Sequence, residues 1–259
     1  MTDAPLFSIV TVTKNNLSGL TATHKSLPAH FSDYEWIVVD GASKDGTKEF
    51  LATLSGAKII TEPDNSPYEA MNKGIECAAG HYIIFMNAGD IFADADIFSA
   101  IERAVKAHDG PDFIYGDALE ANGFYKKARP HTMKFYGMFT HHQSMIYKRS
   151  VIGDSRYDTS YKIAADYDFT LRFLEQAGSF HYIPACLCVF GGGGLSHRFA
   201  GTGRKEEFAI RRKYGCGRSF SISLYVWQFL ALYCRRITPA LYRRLKRWSG
   251  NNRSGYAPV

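Results

Sequence analysis

The segment that indicates the fold most directly is Gly80-His-Tyr-Ile-Ile-Phe-Met-Asn-Ala-Gly-Asp90. Residues 81–86 within it are rich in β-branched and aromatic side chains, which predicts a buried strand of a parallel sheet. The strand ends abruptly in the polar turn 87–90. Because ligands bind just outside the carboxyl ends of strands in open α/β sheets, chemistry is expected at this turn. A carboxylate there can hold a divalent cation against a diphosphate, although an ordinary strand-ending turn has the same composition.

Strands and helices alternate on both sides of this stretch. The predicted strands cover residues 7–13, 34–40, 57–61, 81–86 and 111–117. One predicted helix ends before Pro28, and the other three cover about 48–54, 67–79 and 94–107. This alternation predicts an α/β fold with a doubly wound, mostly parallel sheet. No G-x-G-x-x-G or Gly-Lys-Ser/Thr loop follows the first strand, which disfavours a dinucleotide-binding domain and a P-loop site.

The second half of the chain has a less regular pattern. The aromatic and basic segment 123–136 predicts a β-ribbon or an excursion from the sheet. A strand over 142–147, a helix over 164–176 and one or two strands over 179–190 follow. A glycine run at 191–194 then leads to Ser196-His197.

Charge is unevenly distributed along the chain. Residues 201–259 carry 13 Lys and Arg against 2 Asp and Glu, whereas the first 200 residues carry 18 against 23. A mildly acidic body with a strongly basic end indicates an anionic partner for that end, either membrane lipid or nucleic acid. We therefore predict a domain over residues 1–200 and a basic helical region over 201–259.

The basic region contains a candidate membrane-binding segment at 219–248. Its first part is apolar and aromatic, and six basic residues follow between Arg235 and Arg247, on either side of Pro239. This composition suits a helix in the interface of an anionic membrane. A helix packed on the domain and an oligomer interface are the alternatives. Nucleic acid is disfavoured because no recognised nucleic-acid-binding fold accompanies the charge.

Other features predict a cytoplasmic protein. No stretch reaches the roughly 20 apolar residues of a spanning helix, and the first residues do not resemble a signal peptide. The five cysteines are an odd number, and Cys186 and Cys188 lie in an apolar run. Reduced, buried thiols are therefore expected rather than disulfides or a zinc site.

Several polar residues are candidates for binding a sugar nucleotide. Asp40 ends the second strand, where a carboxylate can accept a hydrogen bond from a nucleobase imide N–H or cap the next helix. Asp64, Asn72 and Lys73 surround a helix that begins at Pro67. They can contact a sugar nucleotide, or they can belong to a solvated helix face.

The predicted helix over 164–176 begins with a candidate catalytic carboxylate. Asp166 can serve as a general base towards an acceptor hydroxyl, or it can stabilise the helix N-terminus. Asp168 and Arg172 are four residues apart and can pair along the helix, which gives them a structural role. His197 can reach a diphosphate, although a lone histidine is more often structural.

These motifs, taken in order, resemble glycosyltransferase family 2, whose fold is GT-A. The resemblance covers about residues 6–200. It is carried by Thr11 and Thr13, by Val-Val-Asp-Gly-Ala-Ser-Lys-Asp-Gly-Thr at 38–47, by Tyr-Glu-Ala-Met-Asn-Lys-Gly at 68–74, by the 87–90 turn and by Ala165-Asp166-Tyr-Asp. Tyr115-Gly-Asp117 and His142-Gln143 also resemble the branch that builds bacterial exopolysaccharides and O-antigens, including colanic-acid-type transferases.

The resemblance implies an inverting transferase that uses a nucleoside-diphosphate sugar, a UDP-sugar, with Mn²⁺ or Mg²⁺. Asp166 would deprotonate the acceptor, and Asp90 would bind the metal. The residues implied for the sugar donor are Thr11, Thr13, Asp40, Asp64, Asn72, Lys73 and Asn87. Those implied for the acceptor or the diphosphate are His142, Gln143 and His197.

The chain departs from the family pattern at the metal turn. The family usually has Asp-x-Asp-Asp where this chain has Asn87-Ala-Gly-Asp90. Asp90 is then the main candidate ligand, Asn87 supplies at most a neutral oxygen, and metal affinity would depend on the diphosphate itself. A catalytically degenerate sugar-nucleotide-binding or assembly module is one alternative function. A nucleotidyltransferase is another, although its Gly-rich, Arg-Met-Pro-type signature is missing after the first strand.

The sequence therefore predicts sugar transfer to a lipid-linked saccharide acceptor in bacterial exopolysaccharide or O-antigen biosynthesis. The predicted location is the cytoplasmic face of the bacterial inner membrane, with residues 219–248 as the anchor.

Overall fold

A computed structural model of the protein describes residues 4–94, 96–192, 194 and 198–237. Within these ranges a nine-stranded sheet has the order β3-β2-β1-β4-β8-β6-β9-β5, and β7 pairs with β6. The strands are β1 (Phe7–Thr13), β2 (Tyr34–Asp40), β3 (Ala57–Thr61), β4 (Tyr82–Phe85), β5 (Ile91–Phe92), β6 (Phe113–Glu120), β7 (Tyr125–Lys126), β8 (Met145–Lys148) and β9 (Phe180–Phe190).

Helices cover both faces of this sheet. The α-helices of the described ranges are α1 (Leu17–Lys25), α2 (Thr47–Ala52), α3 (Pro67–Cys77), α4 (Ile97–Ala107), α5 (Arg149–Ile152), α6 (Ala165–Gln176), α7 (Ala200–Lys213) and α8 (Arg218–Ile237). Two 3-10 helices lie at His131–Tyr136 and His142–Ser144. The predicted α/β fold is confirmed.

Side chains of β1 alternate between two apolar layers, as the two-residue period of a strand requires. Val10 and Val12 join α3 and α6 in one layer, whereas Ile9 joins α1, α2 and α4 in the other. Helix α3 lies very close to β1, because a Cβ atom at Gly74 would be 2.3 Å from Val10 Cγ1. Only glycine permits this approach, which fixes the distance between α3 and the sheet.

The sheet is parallel in its first half and mixed in its second. Strands β3, β2, β1 and β4 are parallel neighbours, so their carboxyl ends meet at one edge. Strand β8 lies between β4 and β6 and is antiparallel to both, although β6 and β9 are parallel. The sheet is less uniformly parallel than predicted because β8 begins at the edge where these carboxyl ends meet and runs in the opposite direction.

The described part of the basic region forms two helices. Helix α7 contributes Ile210 to a small apolar cluster with Ala164, Tyr167 and Leu171 of the adjacent domain segment. Helix α8 packs on α7. No helix in the described residues is long and apolar enough to cross a membrane. The part of the candidate membrane segment beyond residue 237 lies outside the described residues, and the division into domains at residue 200 stays a prediction.

Candidate active site

Asp40 lies buried at the carboxyl end of β2. Its carboxylate accepts hydrogen bonds from Ser43, at 3.2 and 3.3 Å from the backbone N–H and at 2.5 Å from the hydroxyl. The next helix begins after Gly46, which gives no side-chain cap, and Asp45 accepts from the N–H of Thr47 at 3.3 Å instead. The helix-capping alternative for Asp40 is therefore wrong, and its carboxylate is held in the turn at the sheet edge.

Thr13 lies directly opposite Asp40 in the parallel register. Its Oγ1 atom is buried and has no hydrogen-bond partner within the described ranges. A buried polar atom without a partner is uncommon and often marks a place where a ligand or water binds. Thr11 differs, because its Oγ1 accepts a 2.9 Å hydrogen bond from Trp36 Nε1. The structure therefore gives Thr11 a packing role and leaves Thr13 available at the edge.

Asp64 lies next to the turn that follows Asp40. A Cβ atom at Gly41 would be 2.3 Å from Asp64 Oδ2, and Lys14 lies 3.6 Å from Asp64 Oδ1. Lys14 also donates to the Asp64 carbonyl at 3.0 Å. The predicted nucleotide-binding carboxylates Asp40 and Asp64 are thus brought together, with one lysine beside them.

Asn72 and Lys73 have structural partners. The Asn72 side chain donates to the Tyr157 carbonyl at 3.0 Å and accepts from the Tyr157 N–H at 2.7 Å. Lys73 pairs with Glu62 at 3.0 Å and donates to the Pro63 carbonyl at 3.1 Å. These contacts fix the loops around α3, and contact of either residue with a sugar donor stays a prediction.

Asp90 is 6% exposed at the end of the 87–90 turn. One carboxylate oxygen accepts a 2.5 Å hydrogen bond from Gln143 Nε2, and the other accepts at 2.9 Å from the Gly191 N–H. Gly191 must be glycine, since a Cβ atom there would lie 2.4 Å from the Gly89 carbonyl oxygen. Burial raises the pKa of the Asp90 carboxyl, and the hydrogen bonds oppose this shift in part.

His142 connects the metal turn to the candidate base. Its Nδ1 atom lies 3.5 Å from Asp166 Oδ2, and its Nε2 atom lies 3.1 Å from Asn87 Nδ2. The adjacent Gln143 binds Asp90, so the 3-10 helix His142–Ser144 reaches both carboxylates. The sequence placed His142 and Gln143 near the acceptor or the diphosphate only through the family resemblance. The structure places them between Asp90 and Asp166.

The residues of the turn fit a divalent cation that is held largely by its substrate. Asn87 Oδ1 and Gln143 Oε1 are buried and have no hydrogen-bond partner in the described chain. No group of three His, Cys, Asp or Glu side chains in the described ranges can hold a metal. Mg²⁺ and similar ions commonly take one or two carboxylates together with substrate phosphates. Asp90 with the Asn87 amide oxygen fits a site in which substrate phosphates supply the other ligands.

A residue of the basic region fixes the start of the helix that carries Asp166. Glu206 of α7 accepts hydrogen bonds of 2.9 Å from the backbone N–H groups of Lys162, Ile163 and Ala164. Tyr68 donates to the Ile163 carbonyl from the other side. The sequence pattern gave no indication of this role, because more than 40 residues separate Glu206 from the segment that it binds.

The predicted structural role of Asp168 is confirmed. This buried carboxylate lies 3.6 Å from Arg172 Nη2 and 2.8 Å from Lys213 Nζ, so it joins α6 to α7. Its place in the Asp166-Tyr-Asp168 motif is therefore explained by packing. His197 lies outside the described residues.

Lys126 of β7 is a further residue at this edge that sequence reasoning missed. It is partly buried, and burial, together with the charge of Arg129, lowers its pKa to about 8. The same electrostatic environment includes Asp166. The basic composition of 123–136 was the available signal, but it did not single out Lys126.

Residues 8–179 match the family described as Glycosyl transferase family 2. The chain belongs to glycosyltransferase family 2. It is 28% identical over 202 residues to the PGL/p-HBAD biosynthesis glycosyltransferase of Mycobacterium bovis, covering 73% of this chain and 79% of that one. It is 24% identical over 197 residues to the putative colanic acid biosynthesis glycosyl transferase WcaA of Escherichia coli, covering 69% of each.

Solved structures show that this family 2 chain has the GT-A fold. Staphylococcus aureus TarS 1–349 in complex with UDP-GlcNAc has a TM-score of 0.63 and 16% identity, covering 86% of this chain and 71% of that one. The mannosyltransferase PcManGT of Pyrobaculum calidifontis, solved with GDP-Man and Mn²⁺, has a TM-score of 0.61 and 13% identity, covering 96% and 80%. At these identities the likeness extends to the fold alone.

Proposed function

We propose that this family 2 glycosyltransferase moves a sugar from a UDP-sugar to a hydroxyl of a lipid-linked saccharide acceptor, with inversion at the anomeric carbon. The observation that supports this most strongly is the 3-10 helix His142–Ser144. Through His142 and Gln143 it contacts both Asp166 and Asp90. A candidate base and a candidate diphosphate-side carboxylate are therefore both contacted by one short helix.

Asp166 is the general base in this proposal. It accepts the proton of the acceptor hydroxyl as that oxygen forms a bond to the anomeric carbon and the bond to the diphosphate breaks. A single displacement of this kind inverts the anomeric configuration. His142 lies 3.5 Å from the Asp166 carboxylate and limits its orientation, which keeps the accepting oxygen aimed at the acceptor.

Asp40 and Thr13 receive the nucleobase. The uracil imide has an N–H donor, and the Asp40 carboxylate retains free lone pairs beyond those that Ser43 occupies. The Thr13 hydroxyl, which has no partner in the described chain, can bond to a base carbonyl. This pairing supports a uridine nucleotide over one without an imide N–H.

Asp90 and the Asn87 amide oxygen would hold Mn²⁺ or Mg²⁺ on the diphosphate side. When bound, the ion offsets the negative charge that develops on the leaving diphosphate. Gln143 and Gly191 keep the Asp90 carboxylate oriented through their hydrogen bonds. The PcManGT structure, which contains Mn²⁺ with GDP-Man, supports a divalent ion in a protein of this fold.

Helix α8 is proposed to lie on the anionic cytoplasmic face of the bacterial inner membrane. Its exposed stripe consists of Ile222, Val226, Leu230, Tyr233 and Ile237, which are 44 to 64% exposed and recur every three to four residues, on one face of the helix. Trp227, at 65% exposure, flanks this stripe. The basic residues of 235–247 add attraction to anionic lipid. Such an anchor would bring the enzyme to an acceptor confined to the bilayer, as exopolysaccharide or O-antigen assembly requires.

Asp166→Asn tests the proposal directly. With a UDP-sugar panel, Mn²⁺ and lipid-linked acceptor, the variant should lose turnover while binding UDP as the wild type does. Asp154→Asn is the matched control, because Asp154 is exposed. Undiminished transfer by Asp166→Asn would exclude it as the base. Release of pyrophosphate from a nucleoside triphosphate by the wild type would instead indicate a nucleotidyltransferase.

A further inference from the structure

The ammonium group of Lys126 lies within electrostatic range of the candidate base Asp166. Strand β7 places Lys126 opposite the fully buried Ala118 of β6. Within the described ranges, its Nζ atom takes part in no hydrogen bond or ion pair. Lys126 is only partly buried, so an ammonium group with no acceptor among the described residues is accessible to a ligand.

The neighbours of Lys126 place it beside the 3-10 helix that carries His142. Ala118 pairs with Cys188 on its other side, and Cys188 Sγ lies 3.1 Å from the hydroxyl of Ser144. Because β9 occupies that edge of β6, β7 pairs with the opposite edge, on which β8 pairs with Phe113–Tyr115. The 3-10 helix comes directly before β8, so Lys126 lies on the same side of β6 as that helix. Asp166 and Glu120 are the carboxylates whose charge acts on the ammonium group.

Asp117 fixes the ribbon on both sides of Lys126. Its buried carboxylate accepts from the Tyr125 hydroxyl at 2.6 Å and from the Ala128 N–H at 2.7 Å. The Tyr182 hydroxyl donates to it at 2.8 Å. The backbone at Lys126 is thus held before any ligand binds, which reduces the entropy lost when the side chain meets one.

We propose that Lys126 binds a phosphate oxygen of the substrate. Two sources share this chemistry: the diphosphate of the sugar donor, and a phosphate that links the acceptor saccharide to its lipid. A lysine ammonium is a compact charge suited to phosphate. The metal turn contributes one carboxylate, and Lys126 adds positive charge where the reaction places negative charge. The inference rests on the proposed sugar transfer.

The test compares Lys126→Met and Lys126→Arg with the wild type. Lys127→Met is the matched control, because Lys127 is the exposed neighbour. Calorimetry would measure the affinities for UDP, uridine and inorganic pyrophosphate, and kinetics would measure the KM of the lipid-linked acceptor. Circular dichroism would establish that each variant folds.

The results show which phosphate Lys126 binds, or that it binds neither. If the diphosphate is the ligand, Lys126→Met should weaken UDP and pyrophosphate binding about 10-fold or more and leave uridine unchanged. If the acceptor phosphate is the ligand, UDP affinity should be unchanged and the acceptor KM should rise about 10-fold. Lys126→Arg should retain part of the affinity in either case.

A folded Lys126→Met variant with wild-type values in all these measurements would overturn the inference and leave the proposed function standing. A wild-type protein that neither binds UDP nor transfers sugar would instead refute the proposed function, and the inference with it.

Discussion

The Glu206 carboxylate accepts a 2.9 Å hydrogen bond from the N–H of Ala164, two residues before Asp166. The same carboxylate accepts from the two preceding N–H groups. A carboxylate that accepts several backbone hydrogen bonds at a helix N-terminus stabilises both the turn and the helix. The basic C-terminal region therefore takes part in holding the candidate base.

Glu206→Gln should lower kcat while leaving the KM for the sugar donor nearly unchanged. The amide offers one acceptor oxygen in place of two, and its NH₂ group repels the backbone N–H groups. We expect a loss of stability on the order of 1–3 kcal/mol. Kinetics and thermal unfolding, with Glu102→Gln as control, would measure both effects. Equal loss of donor binding and turnover would show general unfolding instead, and Glu206→Asp should recover part of kcat.

His142→Phe should reduce kcat by roughly 10-fold or more, because Asp166 loses the ring nitrogen that orients it. UDP affinity should change much less, since Asp40 and Thr13 lie at a different part of the edge. The measurement is steady-state kinetics beside UDP calorimetry, with His30→Phe at an exposed position as control. An unchanged kcat would show that the His142–Asp166 contact has no part in turnover.

Lys126→Met should be more stable than the wild type at pH 7. The pKa of Lys126 is lowered from 10.5 to about 8, so between these values the unfolded chain binds more protons than the folded protein. The wild type therefore gains stability as pH rises through this window, and below it the full cost of burial is present. We expect an advantage for the variant on the order of 1 kcal/mol, reduced by partial exposure.

Denaturant unfolding from pH 7 to 10.5 would measure this difference, which should shrink as pH rises. A variant less stable than the wild type across the range would contradict the electrostatic account of Lys126.

Arg211→Ala should destabilise the contact between α7 and α8. The guanidinium is fully buried and lies 3.5 Å from Glu207 and 3.2 Å from Gln228 Oε1. Removing one partner of a buried pair commonly costs about 3–5 kcal/mol, and Arg204 retains part of the Glu207 interaction, so we expect the lower end. Thermal unfolding would measure the loss, with the exposed Lys205→Ala as control. A loss no larger than that of the control would contradict the role of this pair.

The double substitution Trp227→Ser and Leu230→Ser should weaken binding to vesicles that contain anionic lipid. Both side chains are largely exposed, and serine would remove the apolar area that they can bury in the membrane interface. Flotation of the double variant and the wild type would measure the effect. Unchanged binding would remove α8 as the anchor. Point substitutions are preferable to deletion of residues 219–259, since the deletion also removes Gln228 from Arg211.

Local patterns predicted the first half of the fold well. Strands β1, β2 and β3 begin and end at the predicted residues, because a run of β-branched side chains between polar turns is encoded within each segment. The same patterns identified Asp40 and Asp90 at strand ends. Pairing between distant segments is not encoded locally, so the position of β8 between β4 and β6 was not predicted.

The contacts within the site show the same limit. Asp166 was predicted from its motif, but its link to His142 depends on two segments that meet only after folding. Glu206 gave no local signal, and the basic composition of 123–136 did not single out Lys126, because the roles of both residues depend on segments that meet them only after folding. The hydrogen bonds of the Asn72 amide to both backbone groups of Tyr157 were not predicted either, and its contact with the sugar donor stays a prediction.

The buried Arg211 also bears on how this enzyme can be shortened. A protein cut before Arg218 would lack Gln228 and expose the guanidinium and the Glu207 carboxylate to solvent on a newly bared face of α7. That face lies on the same helix whose Glu206 holds the segment leading to Asp166. A truncated form made to improve solubility would therefore report the activity of a loosened catalytic centre, and its inactivity would carry no information about membrane attachment.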